Sequence, residues 1–528
     1  MSQSGNQSRR DVLKLSAAAA AMSGLGACVS AAEGASTTSP IPGHVASAVP
    51  TRDTLDSWLR QLHKFGPIRA TGTPQCRAFE EWLAVEFTKV GCTIERDQFK
   101  LMSWECDIKD CSIEVKEDSG ATKKLEVIAY YPFGGSTKGK PAVTGKILFG
   151  GTGEQSGPDI LKKYTEAELA DAIVVVDMPL AGGGTRAVVQ YYPESFPSPL
   201  PPRPTVPRIA NQGGRGPMEA LEKKCRGLIL CYNDVSDEGA RYNYLPFSDK
   251  HRSIPGVWVG KSGSDYLKSV SGKATATVRC DATLTPNARA DTLVATLKGE
   301  TDEVIFLTTH TDGPNEVNDN GALGLLACAT YLSKVPNRKR TVVFSLPTGH
   351  YAGGAVADPV TGSGRRAGTG AVITKWKHVI DRTVAQIHLE QMGAMEWLDL
   401  PSGWQATGLP AQENWIPTPA THERTIQMFM ASTAGLNPKF SRSGMVESGQ
   451  APGEGGQLRS MGIPGIGLMG SPHYFFRCDP KGVIDKLSPD VMHNQAVIST
   501  RLLAMMDRLT PDQMKGTAPI SAAELGKA

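Results

Sequence analysis

The most informative segment of the sequence is Val304-Ile305-Phe306-Leu307-Thr308-Thr309-His310-Thr311-Asp312, followed shortly after by Asn318-Asp319-Asn320-Gly321. Its apolar, partly β-branched start predicts a buried strand that ends beside His310. From Leu323 to Tyr331 the apolar residues recur at the spacing of one helix face. A strand, a polar turn and a helix predict one unit of an α/β sheet, with His310 and Asp319 at the carboxyl end of the strand, where functional groups collect.

The same alternation of strands and helices continues along the chain. Further strands are predicted at Thr341 to Leu346, Val384 to Leu389 and Ile463 to Leu468. Upstream, the segment from Asp53 to Val90 has helical periodicity on both sides of Arg69-Ala70-Thr71-Gly72. We therefore expect an α/β domain built from 51–125 and 290–515, with a mixed β-sheet sandwiched by helices.

Between these two parts, residues 126–289 have a different character. Short apolar runs such as Ala172 to Asp177 and Gly227 to Leu230 are separated by Gly, Pro and Asp. Such runs are typical of buried strands. We interpret this segment as a β-rich domain inserted into the α/β domain.

The composition limits the kinds of partner. Of the 528 residues, 40% are hydrophobic and 21% are charged, which is typical of a globular chain with a sizeable core. The formal net charge is +3, and no long basic run is present, so we expect no nucleic-acid partner.

The N-terminus has the features of an export signal. Arg9-Arg10 precedes an apolar run from Leu15 to Ala27, a pattern that resembles a twin-arginine signal. The run ends at Cys28, which resembles the lipid-bearing residue of a lipoprotein. We expect an export signal over 1–28, a flexible linker over 29–50, and a periplasmic protein attached to the membrane through a lipidated Cys28. The alternative is a signal that is cleaved without lipid attachment.

The ten cysteines include two close pairs, Cys106/Cys111 and Cys225/Cys231, which can form disulfides in an oxidising compartment. No Cys-x-x-Cys pair occurs, so the sequence does not indicate a thiolate zinc site.

Ionisable residues follow four of the predicted strands. In addition to His310 and Asp319, they include Glu390, His350 and His473. An imidazole and a carboxylate at neighbouring strand ends can share a metal ion, and Asp312 can orient the His310 ring. The alternative is a set of solvated turns and hydrogen-bonded structural histidines.

The run from Val304 through Leu332 resembles the metal-binding segment of the co-catalytic zinc aminopeptidase and glutamate carboxypeptidase family. The shared features are the strand, the His-x-Asp and the Asp at the start of a small-residue helix. The early helices around Arg69-Ala70-Thr71-Gly72 resemble the N-terminal region of that family. The β-rich insert resembles its protease-associated domain. The resemblance therefore implies the fold of a zinc peptidase with an inserted domain.

The resemblance also implies a ligand set. In that family, two zinc ions share a bridging Asp, and each has one His and one further carboxylate. Carried over by motif, His310 is a metal ligand, Asp319 is the bridge, Glu390 stands where the family has an Asp, and His473 is the final His. The resemblance thus implies one or two zinc ions.

The chain departs from the family at one important place. The family has two consecutive Glu residues after the next strand, a general base and a metal ligand, whereas this chain has His350 and Tyr351. His350 is then the candidate proton-transfer residue, because an imidazole titrates near neutral pH. Tyr351 is a candidate hydrogen-bond donor to an oxyanion.

Three functions are compatible with these patterns. The first is an exported metal-dependent hydrolase that cleaves an amide or ester bond in a peptide or small-molecule substrate, with an altered metal and base site. The second is a catalytically inactive relative that binds a ligand. The third, a serine hydrolase, requires a Gly-x-Ser-x-Gly motif that the sequence lacks.

Overall fold

The structure is a computed structural model. It describes residues 39–153, 162–178, 189–191, 215–243, 246–247, 249–335, 337–352, 356–357, 364–365, 368–400, 402–446 and 453–526. The predicted export signal and the first part of the predicted linker lie outside the described residues. The described residues belong to one unit that begins at Ser39.

Strands form two large sheets and two small ones. Nine strands pair in the order β1-β11-β13-β12-β16-β21-β19-β20-β7, and eight in the order β3-β2-β10-β5-β6-β8-β9-β4. Two-stranded sheets join β14 to β15 and β17 to β18. The strands are β1 Thr93–Glu105, β2 Cys111–Glu117, β3 Thr122–Leu125, β4 Ala129–Tyr130, β5 Val143–Thr152, β6 Ala172–Met178, β7 Val189–Tyr191, β8 Gly227–Tyr232, β9 Gly256–Val259, β10 Ala274–Cys280, β11 Thr283–Leu297, β12 Thr301–Thr308, β13 Arg340–Leu346, β14 Val356–Ala357, β15 Gly364–Arg365, β16 Thr383–Glu390, β17 Met395–Leu400, β18 Gly403–Pro410, β19 Glu413–Pro417, β20 Ser443–Val446 and β21 Gly465–Gly470.

Helices are distributed along the whole described chain. They are α1 Arg52–Lys64, α2 Pro74–Lys89, α3 Glu166–Ala170, α4 Arg215–Leu221, α5 Asp237–Ala240, α6 Lys261–Ser269, α7 Gly321–Lys334, α8 Thr369–Lys375, α9 Lys377–Ile380, α10 His422–Ser432, α11 Gly456–Ser460, α12 Pro489–Arg508 and α13 Pro511–Lys515. Short 3₁₀ helices occur at Ala46–Ala48, Ile108–Asp110, Pro419–Thr421, Pro438–Phe440, Ile484–Lys486 and Ala523–Leu525.

The first helices begin where the sequence supplies a capping side chain. The Thr51 side chain accepts a hydrogen bond from the Thr54 amide at the start of α1. The Thr73 side chain accepts one from the Cys76 amide at the start of α2, whose first residue is Pro74. These contacts satisfy amides that have no partner within the helix, and they fix the loop that carries Arg69 between the two helices.

The nine-stranded sheet is covered by helices on both faces. Alternate residues of β12 enter two different cores. Ile305 and Leu307 belong to a core shared with α1, α2, α7 and α12. Val304 and Phe306 belong to another core, shared with α8 and α9. The predicted α/β fold, with a mixed sheet sandwiched by helices, is confirmed.

Four neighbouring strands of this sheet are parallel and therefore end at one edge. β12 pairs in parallel with β13 and with β16, and β16 pairs in parallel with β21. Thr308 lies opposite Ser345 on one side and His388 on the other, while Glu390 lies opposite Met469. The predicted ionisable residues after β12, β13 and β16 are brought to one edge by this register.

The eight-stranded sheet has cores of its own. Its central strands β6 and β8 are buried along their whole length. Along the chain, its strand β2 follows β1 of the nine-stranded sheet, and its strand β10 precedes β11 of that sheet. The identification of this sheet with a protease-associated domain stays a prediction.

Among the described residues, no helix combines the length and the apolar character needed to cross a membrane.

Candidate functional site

The site lies at the carboxyl ends of the parallel strands. His310 follows β12, His350 follows β13, and Glu390 is the last residue of β16. Glu454 joins them from the loop that leads into α11. All four are close in space because parallel strands end at the same edge of the sheet.

His310 is fixed in one orientation. Its Nδ1 lies 2.8 Å from the backbone carbonyl oxygen of Asp312. A carbonyl only accepts, so Nδ1 carries a proton and donates it. The ring is 1% exposed, and its Nε2 has no hydrogen-bond partner within the described structure. In the neutral form of the ring, Nε2 carries a lone pair that is available to a proton, a substrate or a metal ion.

Asp312 orients His310 through its backbone and not through its carboxylate. The Oδ2 atom of Asp312 instead accepts hydrogen bonds from the Thr71 hydroxyl at 2.5 Å and the Tyr351 amide at 2.7 Å. The Gly349 amide adds a third, at 3.2 Å. The Asp312 side chain thus anchors the loop that carries His350.

His350 and Glu454 form an ion pair. The Nδ1 atom of His350 lies 2.7 Å from Oε1 of Glu454. Burial by itself lowers the pKa of His350, but the hydrogen bond and charge of Glu454, with the charges of Glu390 and Asp312, outweigh burial and raise it to about 9. Burial likewise opposes the charge of Glu454, and His350 lowers its pKa to about 2. His350 is therefore protonated at neutral pH.

The His350 ring lies between two other rings. It stacks on His310 with a centroid distance of 4.6 Å and on Phe247 with a centroid distance of 5.3 Å. Phe247 also stacks on Phe476 at 5.5 Å, so the wall beside His350 is aromatic. The His350 side chain keeps 29% exposure, so it is accessible from solvent at this edge of the sheet, and this solvent-facing side of the site is called the cleft below.

Tyr351 is a wall residue of the same site. It is buried, and its ring meets that of His350 edge-on with a centroid distance of 5.3 Å. Its role as an oxyanion donor stays a prediction.

Glu390 has protein donors on both carboxylate oxygens. Nε2 of His388 lies 2.7 Å from Oε1, and the Gln391 side chain donates to Oε2 at 2.8 Å. The Glu454 amide also donates to Oε1, at 3.2 Å. Burial raises the pKa of Glu390, but the contact with His388 outweighs burial and holds the pKa well below its usual range.

Asp319 is held by an arginine from the loop between α1 and α2. Nε of Arg69 donates to Oδ2 at 2.6 Å, and Nη2 donates to Oδ1 at 2.7 Å. Both side chains are fully buried. Burial raises the pKa of Asp319, and the charge and hydrogen bonds of Arg69 offset only part of that rise. In the opposite direction, the charge and hydrogen bonds of Asp319 outweigh burial and raise the pKa of Arg69.

These residues do not fit a pair of zinc ions. A bridging carboxylate offers one oxygen to each ion, yet both oxygens of Asp319 already bond to a buried guanidinium, which repels further cations. In the described part of the chain, no three potential ligand atoms at this site lie within 4.8 Å of one another. The free lone pair of His310 supplies one ligand, and a tetrahedral zinc site needs four.

His473 lies in the segment after β21 and is half-buried. The backbone carbonyls that follow it at Tyr474, Phe475 and Arg477 accept hydrogen bonds from the Asn315 side chain. This ties the segment to the loop between β12 and α7. The assignment of His473 as a metal ligand stays a prediction.

Two site residues were missed by sequence reasoning, and each had a weak signal. Arg69 stands in the Arg69-Ala70-Thr71-Gly72 motif, but nothing in the sequence shows that it contacts Asp319. Glu454 stands in a glycine-rich stretch that is typical of a loop. The structure places its carboxylate against His350.

Comparison with solved structures identifies the fold. The aminopeptidase from Aneurinibacillus sp. strain AM-1 has a TM-score of 0.55 at 15% identity, over 86% of this chain and 93% of that one. The zinc aminopeptidase BSAP from Bacillus subtilis has a TM-score of 0.56 at 12% identity, over 86% and 95%. A peptidase M28 precursor from Shewanella amazonensis has a TM-score of 0.57 at 13% identity, over 86% and 92%. The chain therefore has a zinc aminopeptidase-like fold.

The sequence comparisons gave no match. Neither a protein-family model nor a curated protein matches this chain.

Proposed function

We propose that this chain is an exported hydrolase that cleaves an amide or ester bond, with His310 and His350 performing the proton transfers in place of a zinc pair. One observation carries the proposal. The unpartnered Nε2 atom belongs to a buried His310 ring that stacks at 4.6 Å on a protonated His350. The zinc aminopeptidase-like fold supports a hydrolase, and Arg9-Arg10 with Cys28 supports export and lipid attachment.

His310 is the general base. Its Nδ1 proton is engaged by the Asp312 carbonyl, so Nε2 accepts a proton from water as the water oxygen bonds to the acyl carbon. The backbone contact also prevents the ring from flipping and fixes the tautomer that the reaction requires.

His350 is the general acid. Glu454 keeps it protonated at neutral pH, so it donates a hydrogen bond to the developing oxyanion. It then transfers its proton to the leaving nitrogen or oxygen as the bond to the acyl carbon breaks. Two titratable groups in different protonation states are a common arrangement for acid–base catalysis.

The aromatic wall suggests the type of substrate. Phe247 and Phe476 stack beside the acid, so the group next to the scissile bond is apolar. A small peptide or an acyl ester with such a group fits this surface.

The test is hydrolysis of a panel of chromogenic acyl esters and aminoacyl anilides with apolar acyl groups. His310→Gln and His350→Gln should each lower kcat by about a hundredfold or more. His378→Gln, at an exposed histidine on α9, is the matched control and should leave kcat unchanged. Activity that persists in both site variants would overturn the proposal.

A second candidate function is an inactive protein that binds a ligand in the same cleft. It is favoured by the protein donors that already satisfy both Asp319 and Glu390. Absence of turnover across the panel, together with saturable binding of an apolar ester analogue that His350→Gln weakens, would favour this candidate over the hydrolase.

A further inference from the structure

Three cysteine side chains from different parts of the chain lie close together. The Sγ atom of Cys106 lies 3.5 Å from that of Cys111 and 3.8 Å from that of Cys280. The three sulfur atoms all lie within 4.8 Å of one another. Among the described residues, no other group of three potential metal ligands is this close.

The cysteines lie where the two large sheets connect. Cys106 directly follows β1, Cys111 is the first residue of β2, and Cys280 is the last residue of β10. β1 pairs with β11 up to Glu105 opposite Thr283, while Cys280 lies opposite Cys111 in the pairing of β10 with β2. The cluster therefore joins the β1–β2 connection to the β10–β11 connection, and each of these links the nine-stranded sheet to the eight-stranded one.

The spacing of the sulfur atoms matches that of thiolates around one metal ion. Zinc–sulfur bonds of about 2.3 Å place tetrahedral sulfur ligands about 3.8 Å apart. A disulfide would join only two of the three sulfurs and leave the third, whereas one cation can bind all three. Cys280 is buried, and Cys106 and Cys111 are half-buried, so water can reach a fourth coordination position.

We propose that Cys106, Cys111 and Cys280 bind one zinc ion as three thiolates, with water as the fourth ligand. Binding releases the three thiol protons and requires no oxidant or reductant. The ion fastens the two strand connections to each other. It is a structural site that shares no ligand with His310 or His350.

The test is zinc content of the full chain, purified without chelator or oxidant and then incubated with zinc. The expected result is one zinc ion per chain, lost in Cys106→Ser. Cys106 is half-buried and lies outside the strands, so this variant disturbs the fold little. Cys225→Ser is the matched control, because Cys225 is a buried cysteine just before β8 of the eight-stranded sheet, and its thiol donates to the backbone carbonyl of Gly227. It should keep the ion.

Spectroscopy identifies the ligands independently of stoichiometry. Cobalt in place of zinc should give a thiolate-to-metal charge-transfer band that is absent in Cys106→Ser and in Cys280→Ser. No bound zinc or cobalt in reduced wild-type chain would overturn the proposal. So would peptide mapping that finds any two of the three cysteines joined as a disulfide in the purified protein.

Discussion

The guanidinium of Arg69 holds both carboxylate oxygens of Asp319, at 2.6 and 2.7 Å, in a fully buried ion pair. Asp319 is the residue that the family resemblance assigns to the bridge between two zinc ions. In this chain, a permanent positive charge lies against that carboxylate. His350, Tyr351 and this ion pair therefore support the proposal of a site without the zinc pair.

The buried ion pair predicts a specific pattern of stability. Arg69→Met leaves the Asp319 charge buried without its partner and should lower the free energy of unfolding by about 3–5 kcal/mol. Arg69→Met/Asp319→Leu removes both charges and should recover most of that loss. Urea-induced unfolding measures the free energy of unfolding of both variants. Equal stability of the single variant and the wild type would contradict the pairing.

The pair of His350 with Glu454 predicts a pH-dependent contribution to stability. His350 has its pKa raised from 6.5 to about 9, so its contribution is fully present below pH 6.5 and is lost as the pH rises through 9. The contribution of Glu454 is present above its ordinary pKa of 4.5 and is lost as the pH falls through about 2. Both contributions to the free energy of unfolding are fully present between pH 4.5 and 6.5.

The measurement is the difference in unfolding free energy between wild type and His350→Gln as a function of pH. We expect a difference of up to about 3 kcal/mol at pH 6 that shrinks towards pH 10. His378→Gln should show no such trend. A difference that grows with pH would show that His350 is neutral in the folded protein.

The packing of Gly455 against His388 predicts a steric effect on the site. A Cβ atom at this position would lie 2.6 Å from Cβ of His388 and 2.8 Å from Nη1 of Arg459. Gly455→Ala should therefore displace His388 from Glu390 and cost about 1–3 kcal/mol of stability. Thermal unfolding measures the cost, and the His388 ring protons in an NMR spectrum report the displacement. An unshifted His388 resonance with unchanged stability would rule out this packing.

The sequence predicted the scaffold of the site well, because local pattern determines it. The apolar runs that end before His310, before His350 and at Glu390 are strands of one parallel set, and α7 begins right after Asn320. Parallel strands bring their carboxyl ends together whatever the intervening loops do. The positions of the ionisable residues at one edge followed from that rule.

The pairing of those residues could not be predicted in the same way. Arg69 and Asp319 are 250 positions apart, and their contact depends on how α1 and α2 pack against α7. The pair Cys106 and Cys111 was visible from its spacing, but Cys280 joins it only through the register of β10 with β2. Long-range contacts of this kind leave no periodic signal in a single sequence.

The zinc content of the Cys106→Ser/Cys280→Ser variant shows whether the cleft itself binds zinc, because this variant lacks the proposed thiolate site and keeps every residue of the cleft. Elemental analysis follows purification without chelator and incubation with zinc. We expect no bound zinc and undiminished hydrolysis of the ester panel. Two zinc ions per chain that are lost on Asp319→Asn, with hydrolysis that depends on them, would contradict this expectation.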